Sequence, residues 1–345
     1  MSAITRLPSR KDEAWHYTDL SQTDLASYPL IRQGFSGAGL EKGTLAERIL
    51  PSADLPLVGL NASSLAESQI LRITGKAQEP IRLTSEGRSG QFHNRLLVVV
   101  EAGASATLVE THRGQGRYFN NSVIEIDLAE GASLDHVVLQ DESDEATHIS
   151  TIGVRLAAKA AYRSQILHLG GKLVRRETHG LMNGPDADFN LAGASLVKGS
   201  QHIDNTTRLV HRAAHCPSQQ LFKTVLEEEG HGVFQGTVLV ERGAQKTNAH
   251  QLSRALLLSD RAAMDNRPEL EIFADDVKCG HGATIGDIDE NQLFYMRARG
   301  VDEMTARRLL IEAFLAEVVD QVGNEAIRGE LAGLLNERLV LKEQS

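Results

Sequence analysis

The sequence predicts a mainly β protein whose core is a parallel β-helix, a solenoid of stacked coils. Three observations lead there. Short alternating or apolar runs separated by glycine turns follow one another from about Ser68 to Gln251, with helical periodicity nearly absent. A faint repeat of roughly 28 residues runs through the same span, a period typical of solenoids and arrays. Aromatic residues make up only 4% of the chain while glycines number 30, which suits a flat, repetitive core of Leu, Val, Ile and Ala. Each repeat exposes an apolar face that it can bury only against a neighbour, and stacked coils of two or three short strands satisfy that need. A β-sandwich would use the same strands but leaves the repeat without a cause.

The chain has 345 residues, 41% of them hydrophobic, enough for one large or two ordinary domains. Thirty-six Lys and Arg stand against 46 Asp and Glu, a formal charge of −10, which argues against a general nucleic-acid binder. The two cysteines, Cys216 and Cys279, do not make a disulfide framework and point to a reducing compartment. No apolar run approaches a membrane span and Met1 to Arg10 lacks the apolar centre of a secretory signal, so a soluble cytoplasmic protein is expected.

In chain order, residues 1–67 read as an amino-terminal helical and irregular segment. Ser9 is placed to cap a short helix carrying Asp12 and Glu13 in its first turn, and the single tryptophan, Trp15, should anchor that helix on an apolar surface. Residues 34–66 suggest a small irregular α/β cap, with Thr44–Leu50 as one helical stretch. The β-helix core is expected over 68–300. Gln69–Thr74 and Pro80–Thr84 alternate, and Leu96–Val100 is continuously apolar. The run Gly103-Ala104-Ser105-Ala106-Thr107-Leu108 is echoed by Gly131-Ala132-Ser133-Leu134-Asp135-His136, then at similar intervals by Ala160–Ile166 and Pro185–Leu191. Of thirteen histidines, eleven lie between His93 and His250, and most are expected on exposed strand faces or at turns. His215 and Cys216 are neighbours and face opposite ways on a strand, so Cys216 reads as a core residue.

Over 301–345 the period changes to 3.6. Asp302 should cap a helix whose apolar face is Ala306, Leu310, Ala313, Phe314 and Val318, ended by Gly323-Asn324. A second helix presents Ile327, Leu331, Leu334 and Leu335. The simplest role for the pair is to close the open end of the solenoid.

The chemistry concentrates in Pro268–Gly286. Leu270, Ile272 and Ala274 alternate with Glu269, Glu271 and Phe273, as in a half-buried strand. Asp275 and Asp276 then lead into Cys279-Gly280-His281. On a strand Cys279 and His281 share one face and present a thiol beside an imidazole, donors suited to zinc or an iron–sulfur site rather than calcium or magnesium. A closed site normally needs four donors, and a strand cysteine is commonly a small buried hydrophobe. The pair is therefore at most half a site. The two acids could orient the histidine or deliver iron, or simply satisfy a turn.

The run Asn266-Arg267-Pro268-Glu269-Leu270-Glu271-Ile272, with Ala274-Asp275-Asp276-Val277-Lys278-Cys279-Gly280-His281-Gly282-Ala283-Thr284-Ile285-Gly286 and Leu293–Gly300, resembles the SufB/SufD family of the SUF iron–sulfur assembly scaffold, its SufD branch in particular. The amino-terminal Arg10-Lys11, Glu13, Trp15 and Tyr17-Thr18, the block His211–Cys216 with Ser218–Thr224, and Gln245–Gln251 with Leu256–Ser259 are similar to further family blocks. The resemblance implies a right-handed β-helix core. It implies a subunit that pairs with a SufB-like chain through the β-helix ends, His281 serving as a ligand to a transient iron–sulfur cluster at the interface and Cys279 as a second candidate. It also implies that the C-terminal helices dock SufC, an ABC-type ATPase. The chain has no G-x-x-x-x-G-K-[ST] run and is not expected to hydrolyse nucleotide or to be an enzyme. Two other classes stand beside this one: a homodimeric metal- or cluster-binding β-helix protein, and a β-helix enzyme acting on polysaccharide. The second is disfavoured by the lack of paired acids along the repeats.

Overall fold

The structure, a computed structural model, describes residues 6–44, 49–65 and 67–340. The amino-terminal segment holds two single 3-10 turns, Glu13–Trp15 and Leu25–Ser27, then β1 (Leu30–Ile31), β2 (Ser36–Gly37), β3 (Leu40–Gly43) and α1 (Pro56–Ser64). Ser9 does not cap the first turn: its own N–H donates to Asp12 Oδ2 at 2.8 Å. The helix expected at Thr44–Leu50 falls mainly on residues 45–48, outside the described residues.

The core strands are β4 (Ser68–Ile73), β5 (Ile81–Gly87), β6 (Gly90–Val100), β7 (Ser105–Gly114), β8 (Tyr118–Leu128) and β9 (Ser133–Asp141). They continue as β10 (Thr147–Leu156), β11 (Ala161–His168), β12 (Leu173–Met182), β13 (Asp188–Val197) and β14 (His202–His211). The last are β15 (Pro217–Leu226), β16 (His231–Val240), β17 (Asn248–Leu257), β18 (Ala263–Ile272) and β19 (Lys278–Gly286). Even-numbered strands from β4 to β18 stack as one parallel sheet and odd-numbered strands from β5 to β19 as another, giving a solenoid of about eight turns with two strands per coil. The repeat read from the sequence is the coil: Ser105 pairs with Ser133, Ser133 with Ala161 and Ala161 with Asp188.

The two sheets enclose the main core, from Leu71 and Leu83 through Ile124, Leu134 and Ile152 to Phe189, Phe222 and Phe234. Both outer faces are also covered, which is why most strands are buried on both sides. On the first sheet, Trp15, Leu20, Tyr28 and Leu57 pack over Phe119 and Ile149. Trp15 is the packing anchor its sequence context predicts, with the Arg175 guanidinium carbon 4.2 Å from its ring centroid.

Three helices follow: α2 (Glu290–Ala298), which no periodicity in the sequence marks, α3 (Glu303–Val319) and α4 (Glu325–Val340). Asp302 caps α3 as expected, its side chain accepting from Thr305 N. The helix pair does not close the end of the solenoid. It lies along the outer face of the second sheet, with α3 against β11, β13 and β15. The physical reason is in the strands, whose outward residues Val137, Leu139, Leu167, Leu196 and Val225 form an apolar face that must be covered. The buried residues of α3 are Ala306, Ile311, Leu315, Val318 and Val319, while Ala313, expected on the apolar face, is exposed.

The two ends of the solenoid differ. At the amino-terminal end β2 and β3 pair antiparallel with β5 and β4 and terminate the sheets. At the other end β18 and β19 are the last strands of their sheets, and each pairs on one side only among the described residues.

Candidate functional site

Cys279 and His281 lie on β19, the terminal strand at the open end. They occupy alternate positions in register with Ala249 and Gln251 of β17, both buried, so the pair faces the interior side of the last coil. No further coil covers them. His281 is therefore exposed, and its ring makes no hydrogen bond to another described residue. Cys279 is half-buried among Val238, Val240, Ala249 and Ala274. Burial pushes its thiol above the ordinary range, so the free protein holds the neutral thiol and metal binding must displace a proton. Below His281, both side-chain amide atoms of buried Gln251 lack a partner among the described residues, so the interior beneath the imidazole is polar.

The local sequence places the pair where it is. β18 carries Pro268, which cannot donate to a ladder and so suits an edge strand. The turn Phe273–Val277 inserts Ala274 into the core and sends the chain back as β19. Asp276 is engaged in that turn, paired with Lys246, with its N–H donating to Gln245 Oε1 at 3.0 Å, while Lys246 N–H donates to its carbonyl at 2.7 Å. It is a satisfied turn acid. Asp275 is exposed beside it. Cys216 is fully buried in the main core with its Sγ 3.4 Å from the Gly184 carbonyl, and His215 is exposed; the two face apart as expected, but in the turn before β15, where His215 has φ 61°, and not on a strand. Among the described residues no group of three or more His, Cys, Asp or Glu side chains could hold a metal ion. Within those residues the Cys279–His281 pair stands as an incomplete donor set.

Around this end exposed charges, among them Glu271, Asp275, Asp276 and Lys278, are interspersed with large apolar side chains. Ile272, Phe273 and Ile285 are exposed on the last coil, Phe273 to 58%, and Phe294, Tyr295 and Met304 are exposed on α2 and α3, Phe294 to 73%.

The histidines correct one expectation. Six of them, His93, His112, His136, His148, His168 and His211, are buried rather than exposed. They are buried because they point between the sheets or under the amino-terminal segment, and several find carboxylates there. Glu110 receives His136 Nε2 at 2.8 Å and His112 on its other oxygen, and Glu142 receives His148 Nδ1 at 2.5 Å. Burial alone would raise both acids, but the hydrogen bonds and charge of these imidazoles hold Glu110 well below the usual carboxylate range and Glu142 at about 2. The signal in the sequence is Glu110-x-His112, two residues apart on one strand face.

Comparison with known proteins accords with this architecture. The family described as "SUF system FeS cluster assembly, SufBD core domain" matches residues 81–314. The chain is 30% identical over 380 residues to the iron–sulfur cluster assembly protein SufD of Escherichia coli, covering 97% of this chain and 90% of that one. It is 36% identical over 390 residues to the iron–sulfur cluster assembly SufBD family protein slr0076 of Synechocystis, covering 94% and 86%. It is 40% identical over 240 residues to the chloroplastic protein ABCI7 of Arabidopsis thaliana, covering 68% of this chain and half of the plant protein. With a match across most of the solenoid and near full-length similarity to a SufD protein and to a SufBD family protein, the chain belongs to the SufBD family of SUF-system iron–sulfur cluster assembly proteins.

Proposed function

We propose that this chain is a non-catalytic subunit of the assembly scaffold, which supplies part of a ligand set for a nascent iron–sulfur cluster and leaves the rest to a partner. The observation that carries this is the placement of Cys279 and His281 on the last strand of an open solenoid end, which pairs on one side only among the described residues. A complete cage would retain its cluster, whereas a set split between two chains can hold cargo and release it. An exposed imidazole next to a half-buried thiol supplies two of the usual four donors. The partner is a SufB-like subunit that meets β18 and β19 end to end, where exposed Ile272, Phe273 and Ile285 give an apolar contact. His281 is the principal ligand and Cys279 the second. The SufC-type ATPase docks on the exposed side of the terminal helices and supplies the nucleotide chemistry. Among the described residues no helix is long and apolar enough to cross a membrane, and a cytoplasmic location belongs to the same proposal.

The test is a His281→Ala chain co-produced with its SufB-like and SufC-like partners. Because His281 is exposed and makes no hydrogen bond to another described residue, the variant should fold and assemble normally. Cluster build-up on the complex should be abolished. Undiminished cluster yield in the assembled variant would remove the role given to His281. Two copies meeting by the same open end would appear instead as a homodimer that carries cluster without the SufB-like chain.

A further inference from the structure

We propose that His202 and His231 form a binding site for a divalent first-row transition-metal ion on the outer face of the first sheet, separate from Cys279 and His281. The two histidines begin adjacent strands and are directly in register. Their Nδ1 atoms face each other at 3.1 Å, with the rings 70° apart.

Hydrogen-bond accounting shows what those atoms carry. His231 Nε2 lies 2.7 Å from Asp265 Oδ2, a carboxylate oxygen that can only accept, so His231 bears its proton on Nε2. His202 Nε2 lies 2.9 Å from Thr18 Oγ1. Thr18 has one hydroxyl proton and donates it to Asp204 Oδ2 at 2.5 Å. Asp204 has no proton to offer in return: the buried Arg175 guanidinium is paired with it, and its other oxygen accepts from Thr206 at 2.8 Å. Thr18 must therefore accept from His202, which fixes the His202 proton on Nε2 as well. Both Nδ1 atoms are then bare lone pairs aimed at each other at hydrogen-bonding distance. Two lone pairs repel there unless a cation lies between them.

A metal ion fits that role. Two imidazole nitrogens bound to one tetrahedral centre at 2.0–2.1 Å stand roughly 3.3 Å apart, close to the separation observed. The surroundings also match a ligating pair, since each ring donates its remote N–H to an acceptor, Asp265 directly and Asp204 through Thr18, the arrangement that fixes the tautomer of metal-bound histidines. Imidazole donors select zinc, iron, cobalt, nickel or copper over calcium and magnesium. With only two protein donors, water fills the remaining positions and the ion exchanges. Both rings are half-buried, so the ion has access from solvent.

The experiment is a Zn²⁺ titration of the metal-free full chain at pH 7.5, followed by histidine side-chain ¹H–¹⁵N spectra, which separate these rings from any other zinc-binding group. Before zinc, both rings should show the Nε2–H tautomer. Zinc should shift Nδ1 of His202 and His231 together, and His231→Gln should abolish the shift at His202. Thr18→Val removes the acceptor that orients His202, together with one donor to Asp204, and should weaken binding by about 10- to 100-fold. The proposal is overturned if millimolar Zn²⁺ leaves both Nδ1 signals unmoved. It is equally overturned if one ring is doubly protonated before metal is added, because a shared proton is then the cation, or if Thr18→Val binds as tightly as the parent chain.

Discussion

Burial holds several histidines neutral, and that gives single residues a measurable effect on the whole fold. Burial lowers His93 and His211 to about 4, and burial together with the nearby charge of Arg176 lowers His168 to about 3, against an ordinary value of 6.5. In the unfolded chain these rings take protons near pH 6.5; in the folded chain they resist until pH 4 or below. The unfolded state thus binds more protons between those values, and stability present above pH 6.5 is lost as pH falls through about 4. Glu142 acts in the same direction over a lower window, its contribution being present above pH 4.5 and lost as pH falls toward about 2, and Glu110, also held well below the ordinary carboxylate range, adds to it in the same direction. The urea midpoint should therefore decline steadily from pH 6.5 to 4; a midpoint flat over that range would contradict neutral burial of these rings. At this scale the sequence was legible only in part. Cys279 and His281 could be read because two residues on a strand share a face whatever the fold. The burial of His93 could not, because it faces outward and is covered by a segment distant in the chain, beside Phe119 and hydrogen-bonded to Asn121.

Among the elements, the turns between coils show how the repeat is enforced. Two residues before the strands of the second sheet, a left-handed backbone angle recurs: Gly103 (φ 68°), Gly131 (φ 66°), Lys159 (φ 57°), Asp186 (φ 60°), His215 (φ 61°) and Lys246 (φ 61°). Glycine adopts this conformation without cost, whereas a residue with a Cβ is disfavoured by roughly 1–2 kcal/mol. Space is not limiting at Gly131, where an added Cβ meets nothing within 4 Å. Gly131→Ala should therefore destabilise the protein by about 1 kcal/mol through backbone conformation alone, read as a lowered denaturation midpoint. An unchanged midpoint would mean that the turn relaxes freely. The first two coils advertise this turn with glycine, and the echo of Gly103 in Gly131 made the repeat visible. Later coils keep the conformation and drop the glycine, so the pattern fades in the sequence while it persists in the structure. The terminal helices show the same division. The Asp302 cap is a local signal and was readable, whereas the buried stripe through Ile311 and Leu315 depends on which surface the helix meets.

In the whole molecule, covered faces and one open end determine where partners can bind. Helices α3 and α4 bury Ile311, Leu315, Val318, Ile327, Leu331, Leu335 and Leu339 over the second sheet. Deleting them would bare that face, and lost ATPase binding would then report unfolding. Substitution of exposed residues avoids this. Phe294→Asp and Met304→Asp change side chains that are mostly exposed, and if this surface docks the ATPase each should weaken binding by about 2 kcal/mol, roughly thirtyfold in Kd, with the thermal midpoint unchanged. Undisturbed affinity in both variants would move the docking surface elsewhere. The solenoid itself was legible because its repeat, alternation and turns all follow from stacking one unit on the next. The position of the helices was not, because an end-cap and a face-cover need the same amphipathic sequence.

The central claim is that this chain holds only part of a ligand set and that another polypeptide completes it. X-ray absorption at the iron edge tests it most directly, on clusters assembled on the chain alone and on its complex with a SufB-like partner. Stable iron–sulfur scattering is expected in the complex only, with an imidazole contribution that disappears in His281→Ala. A stable cluster on the isolated monomer, or an imidazole signal that survives that substitution, would contradict it.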